Sequence, residues 1–246
     1  MPMTQVVKSS IQYHNQQQLE YFGQKVKNTM IPVKSNYVMK HIDRFLQFSN
    51  LDRSHNILEV GCGMGKFTFP LIEKGYQITG LDLSPFLLQK LLEYNDNRFN
   101  IPLISSDILE IPDQYNEQFD RVIGFFVLHH FHHLETYFQA MARVLKPGGE
   151  IIFVEPNANN ILYYFQIFFT PGMSWKGDKG VFDMKKSVFL RAAHYAGLKL
   201  DKLKRYGFFP PFVVNTTAGL KVDNFLEKQS ILQPVLPFNF IRLIKE

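Results

Sequence analysis

The sequence predicts an α/β fold in which a mostly parallel sheet is covered by helices on both faces. Between residues 56 and 155, strand-like and helix-like stretches alternate, with strands near 56–60, 77–82, 101–105, 119–125 and 149–155 and helices near 66–74, 85–94 and 134–145. Such an order needs crossover connections, which leave the strands parallel and the helices on the two faces. The second observation is the run Asn56-Ile57-Leu58-Glu59-Val60-Gly61-Cys62-Gly63-Met64-Gly65-Lys66, a short buried strand, a glycine turn and the opening of a helix. Ligands in these sheets sit outside the carboxyl ends of the strands, so the residue after each strand is the one to inspect.

After the first strand, Gly61, Gly63 and Gly65 allow positive φ and a close approach of backbone to a ligand, and the following helix offers unpaired N–H groups. A dinucleotide fingerprint would place its third glycine at position 66, where the chain has Lys66, so a nicotinamide oxidoreductase is disfavoured. Glu59 stands two residues before the first glycine. Cys62 is the only cysteine, so there is no internal disulfide and no cysteine metal cage, and packing of the turn explains it better than a nucleophile does.

The second strand ends at Asp82, followed by Leu83. Ser84-Pro85 supplies a helix cap with proline at the first helical position, which leaves the Asp82 carboxylate for other work. After the third strand come Ser106-Asp107-Ile108, and after the fourth, ending in Phe125-Phe126, come Val127-Leu128-His129-His130. Lys146-Pro147-Gly148-Gly149 reads as a helix stop leading into the fifth strand, which ends at Glu155.

Outside this stretch the pattern is looser. Residues 11–30 are polar with scattered aromatics, and Tyr13, Tyr21 and Phe22 either close over a site or pack on the core edge; Tyr37 to Phe48 has helical apolar spacing. Residues 160–169 are almost wholly apolar on every face, in the core, as the roof of a lipophilic pocket or dipping into a membrane interface, and residues 171–181 form a loop with the only tryptophan, Trp175. A helix over 185–196, an alternating strand over 198–204, an aromatic loop over 206–212 and a helix over 218–226 follow.

The pieces E-x-G-x-G-x-G, Asp82, Ser106-Asp107-Ile108, Leu128-His129-His130 and Leu145-Lys146-Pro147-Gly148-Gly149, in this order, resemble class I S-adenosylmethionine (SAM) methyltransferases. The branch they resemble includes ubiquinone and menaquinone biosynthesis methyltransferases and small-molecule O-methyltransferases, and the likeness is firm over about 56–156. It implies a Rossmann-like, seven-stranded, mostly parallel sheet whose last strand, within 236–245, is antiparallel. It divides the chain into an N-terminal helical or lid segment (1–50), a SAM-binding core (51–157) and a substrate-side segment (158–246) that completes the same sheet. Gly61, Cys62, Gly63 and Gly65 then border the methionine part of SAM, and Glu59 meets its ammonium or shapes the loop. Asp82 accepts from the ribose hydroxyls, Leu83 and Ile108 lie against the adenine, Asp107 meets its amino group, and Phe125 completes the cofactor set. His129 is the expected base with Glu155 behind it, or else a rim residue that shapes the pocket.

Composition trims the choice of acceptor. Residues 176–246 carry 13 Lys/Arg against 6 Asp/Glu, a basic excess that fits a solvated face, an anionic ligand or a peripheral membrane contact, while no recognisable RNA module is appended. No apolar run nears the roughly 20 residues of a membrane span, and the N-terminus lacks a signal-peptide core, so a cytoplasmic protein is expected. The histidines at 129, 130, 132 and 133 cannot all point inward and lack a supporting carboxylate pattern, so no metal is expected. The expected function is methyl transfer to a small lipophilic or aromatic acceptor, at a hydroxyl oxygen. C-methylation of a quinone-like or lipid precursor and a SAM-binding scaffold without turnover are the alternatives.

Overall fold

The computed structural model describes residues 5–161, 163, 164 and 179–246. A seven-stranded sheet runs through it in the order β3-β2-β1-β4-β5-β7-β6. Its strands are β1 (Ile57–Val60), β2 (Ile78–Asp82), β3 (Leu103–Ser105), β4 (Phe119–Phe125), β5 (Leu145–Pro156), β6 (Leu198–Tyr206) and β7 (Phe238–Lys245). The first five pair in parallel, and β7 is antiparallel to both of its neighbours, β5 and β6. Chain order reverses at β1, so the crevice between the carboxyl ends of β1 and β4 is the switch point where ligands bind in sheets of this kind.

The helices are α1 (Gln5–Phe22), α2 (Asn36–Ser49), α3 (Thr68–Glu73), α4 (Pro85–Asn95), α5 (Leu134–Val144), α6 (Lys186–Tyr195), α7 (Pro211–Val214) and α8 (Thr217–Leu226). Side chains alternate along β1, and the two sheet faces bury different cores. Leu58 and Val60 join Tyr137, Phe138 and Met141 of α5 and Phe189 of α6, whereas Ile57 joins Val38, Ile42 and Phe45 of α2. Ser35 starts α2 by accepting from Val38 N–H at 3.3 Å, as a capping serine does.

One boundary differs from the sequence reading. β5 begins at Leu145, which already pairs with Phe119, and the register shifts before Arg121 pairs with Glu150. Lys146-Pro147-Gly148-Gly149 is therefore an irregular stretch within the strand and not a turn ahead of it. Gly148 has φ of +73°, which suits glycine.

The C-terminal segment is fastened to α2 by buried charges. Lys40 Nζ pairs with Asp223 and, at 2.8 Å, with Glu227 of the α8 cap, and Arg44 also pairs with Glu227. Asp223 Oδ1 accepts from the N–H groups of Phe208 (3.0 Å) and Phe209 (2.6 Å), so the aromatic loop is fixed by the same carboxylate. Tyr163 is buried in the second core. Position 162, the apolar stretch from 165 onward and the loop with Trp175 up to position 178 lie outside the described residues. Among the described residues no helix is long and apolar enough to cross a membrane.

Candidate functional site

The glycine turn after β1 is tied to β2, because Leu81 carbonyl accepts from the N–H groups of Gly61 (2.8 Å) and Cys62 (3.1 Å). Gly61, Gly63 and Gly65 all have positive φ, at +73°, +53° and +88°. A Cβ at Gly61 would collide with Val127, and one at Gly65 would stand 2.6 Å from Phe69 Cε2. Those two glycines are demanded by the protein's own packing. Gly63 differs: the nearest atom to a Cβ there is Met30 Cε at 3.8 Å, an ordinary contact, so the protein's own packing does not demand glycine at this position.

Cys62 turns the other way. Its sulfur lies against Gly80 of β2 and packs in a cluster with Phe69, Leu88 and Leu91. Burial pushes the thiol pKa well up, so this side chain packs and does not react. Glu59 is buried behind the turn and accepts from Thr68 Oγ1 at 2.7 Å. Burial, helped by the nearby Asp82 charge, raises its pKa to about 8, so Glu59 carries a proton at neutral pH.

Asp82 is not left unengaged, as its capping neighbour had implied. Ser84 does cap α4, accepting from Leu87 N–H, but the Asp82 carboxylate accepts from Gly63 N–H on Oδ2 and Ser84 N–H on Oδ1, both at 2.8 Å. It staples the glycine turn to the β2 end. Each oxygen keeps a second lone pair, which is what a pair of vicinal hydroxyls requires. Burial raises its pKa to about 6 against the pull of the two backbone donors. Leu83 beside it is partly exposed.

Asp107 binds Leu109 N–H through Oδ1 at 3.0 Å, and its Oδ2 accepts from Asn15 Nδ2 of α1. Tyr137 donates its hydroxyl to Asn15 Oδ1 at 3.1 Å, so α1 is seated on the β3 end. Further along, Lys66 Nζ donates to Thr29 carbonyl at 2.7 Å, and Met30 approaches Gly63. The N-terminal segment thus spans the ends of β1 and β3. Nothing in its glutamine-rich pattern signals Asn15 or Thr29 in advance. Ile108 is buried in the first core, and the Phe125 ring is held by Phe67 at 4.5 Å and Phe45 at 4.7 Å in the second.

At the end of β4 the chain turns sharply, with Phe126 at φ +57°. A non-glycine residue there costs of order 1–3 kcal/mol and needs support. Glu155, fully buried at the end of β5, gives it. Oε1 accepts from Val127 N–H and Leu128 N–H, each at 2.7 Å, and Oε2 meets His129 Nδ1 at 2.7 Å. A carboxylate only accepts, so the Nδ1 of His129 carries the proton and the lone pair lies on Nε2.

Residues 57–149 match the family described as Methyltransferase domain. A ubiquinone biosynthesis O-methyltransferase of Erwinia tasmaniensis is 27% identical over 188 residues, which cover 71% of this chain and 77% of that protein. Over residues 57–149 the chain carries a class I SAM-dependent methyltransferase domain. A demethylmenaquinone methyltransferase of Bacillus licheniformis is 30% identical over 145 residues, 58% of this chain and 61% of that protein. The Haemonchus contortus phosphoethanolamine N-methyltransferase 2 solved with SAM shares the fold, with a TM-score of 0.59 at 17% identity over 92% of this chain and 55% of that one. This methyltransferase is an enzyme that uses SAM as methyl donor. Its residues fit the donor: a carboxylate with lone pairs to spare at Asp82 and a partly exposed glycine at Gly63 that no packing clash requires.

The proton on Glu59 sets a pH dependence. The unfolded chain loses it near the ordinary 4.5, while the folded protein keeps it to about 8. Stability is therefore full below 4.5 and falls as pH rises through that window, by about 1 kcal/mol per pH unit from this group. Urea unfolding of Glu59→Gln across pH 4–8 should show that share of the slope removed, with stability close to that of the parent near pH 4 and about 2 kcal/mol above it near pH 6; an unchanged slope would mean that Glu59 ionises normally.

Proposed function

We propose that this enzyme methylates a hydroxyl oxygen of a small, lipophilic aromatic acceptor, with His129 as the base. The observation that supports this reading is the buried contact between His129 Nδ1 and Glu155. Glu155 fixes the tautomer, stabilises the imidazolium that forms, and leaves Nε2 as the nitrogen that takes the hydroxyl proton. When bound, SAM supplies an electrophilic methyl group. Asp82 holds its ribose hydroxyls and the Gly63 backbone borders its methionine part, while Asp107 and Leu83 serve the adenine end. Residues 11–30 act as a lid whose seat is the bond from Asn15 to Asp107. The roles of Cys62 and Phe125 are confined to shaping the turn and the core around this pocket.

The two relatives named for quinone biosynthesis support an aromatic acceptor bearing oxygen. Methylation at carbon is the second reading, and the histidine and carboxylate pair favours oxygen. Radiolabelled methyl transfer from SAM to catechols tests the proposal. Replacing His129 by Ala should slow transfer by about 10²–10⁴-fold with SAM affinity kept. Asp82→Ala should weaken SAM binding by roughly tenfold or more, since two hydrogen bonds to a charged group are lost. A wild-type rate in the first variant would leave His129 a rim residue.

We place the enzyme in the cytoplasm, against a membrane surface from which such an acceptor is drawn. Phe212, Phe225 and Ile231 are 77%, 63% and 85% exposed on the C-terminal segment, close in sequence to Lys221 and Lys228. Sedimentation with vesicles of anionic lipid should bring down the enzyme, and Phe212→Ser with Ile231→Ser should release it. Equal sedimentation of the double variant would refute the contact.

A further inference from the structure

His41 of α2 is 2% exposed and boxed by aromatic rings. Tyr37, Phe238, Phe126, Tyr206 and Phe67 meet it edge-on, with centroids at 4.4, 4.8, 5.2, 5.4 and 6.1 Å. Its Nδ1 is hydrogen-bonded to the Tyr206 hydroxyl, and its Nε2 is buried without a partner among the described residues. Leaving a polar atom in that condition is destabilising, and an apolar side chain in this box would avoid the loss.

The missing partner can be typed. Among the described residues the Tyr206 hydroxyl has no other acceptor, so giving its proton to Nδ1 leaves one unsatisfied group, whereas the opposite tautomer leaves two. Nε2 is then an N–H donor in search of an oxygen. Burial first, and then the charges of Lys66 and Lys40, hold the imidazole pKa well below its usual value, so the donor is neutral and its surroundings favour an electron-rich atom.

The box also has a definite place. Phe126 follows β4, Tyr206 ends β6, and Phe238 opens the antiparallel β7, where it pairs with both Pro156 and Tyr206. All three therefore stand at the carboxyl edge of the sheet, on the half that carries His129 and Glu155, while Asp82 and Asp107 serve the other half. Tyr37 and Phe126 are only partly buried, which makes them the walls that face outward.

We propose, on the basis of the methyl-transfer reading above, that His41 is an acceptor-binding residue: a planar ring enters beside Tyr37 and Phe126, the two partly exposed walls, and Nε2–H donates to a second oxygen on that ring, not the one being methylated. The enzyme then prefers aromatic acceptors with two oxygen substituents over those with one.

Calorimetric titration of catechol, resorcinol, hydroquinone and phenol into the full chain saturated with S-adenosylhomocysteine tests this. At least one of the dihydroxybenzenes should bind the wild type about tenfold tighter than phenol, the worth of one net hydrogen bond. His41→Asn keeps an amide near Nδ1 but nothing at Nε2, and His41→Gln does the reverse; His41→Phe keeps the ring volume. The preference should vanish in the Asn and Phe variants and persist in Gln, with S-adenosylhomocysteine affinity unchanged in all as the check on folding. Retention of the preference in Asn or Phe, or its absence from the wild type, overturns the proposal. Failure of the wild type to bind S-adenosylhomocysteine would instead remove the methyl-transfer reading, and this inference with it.

Discussion

The acceptor side of this site depends on one buried carboxylate. Glu155 has no solvent exposure, and a charge in that position is tolerable only if it is fully hydrogen-bonded. The three groups that satisfy it, the N–H of Val127, the N–H of Leu128 and His129 Nδ1, all belong to the turn after β4. Meeting the need of the carboxylate therefore fixes the turn, the left-handed Phe126 and the tautomer of the histidine at once. Parallel pairing of Phe125 with Val154 is what delivers Glu155 to that point.

Asp82 repeats the device on the other side of the switch point. At the end of β2 it accepts from Gly63 of the turn after β1 and from its own Ser84. Each central loop, after β1 and after β4, is thus pinned by a carboxylate at the end of the strand next to it. Such pinning sets the backbone before any ligand arrives, so little ordering remains to be done on binding. Glu59 and Asp82 bear the consequence of the same burial, with raised pKa values, and Thr68 and two backbone donors offset part of it.

The repeating core was legible because local pattern and tertiary fold agree there. Alternating strands and helices, glycines at positive φ, the Ser84-Pro85 cap and the carboxylates ending β2 and β5 all declare themselves within a few residues of sequence. Lys146-Pro147-Gly148-Gly149 misled as to where β5 begins because proline and glycines suit a bulge as well as a stop. Long-range polar contacts left no such trace. Asn15 reaches Asp107 across 92 positions, and Lys40 reaches Asp223 across 183, from helices whose sequences read as ordinary polar or amphipathic surface. His41 belongs to the same class, an imidazole on an apolar helix face whose aromatic neighbours come from four other parts of the chain.

Nitrogen chemical shifts of histidine-labelled enzyme, resolved for His129 by comparison with a His129→Gln sample, bear most directly on how this site works. Glu155 requires the ring to be protonated at Nδ1 with its lone pair on Nε2, and the shifts should show that tautomer near neutral pH. A proton on Nε2 in the neutral ring would contradict it, because the imidazole could then neither donate to Glu155 nor accept a proton from a hydroxyl at the nitrogen opposite.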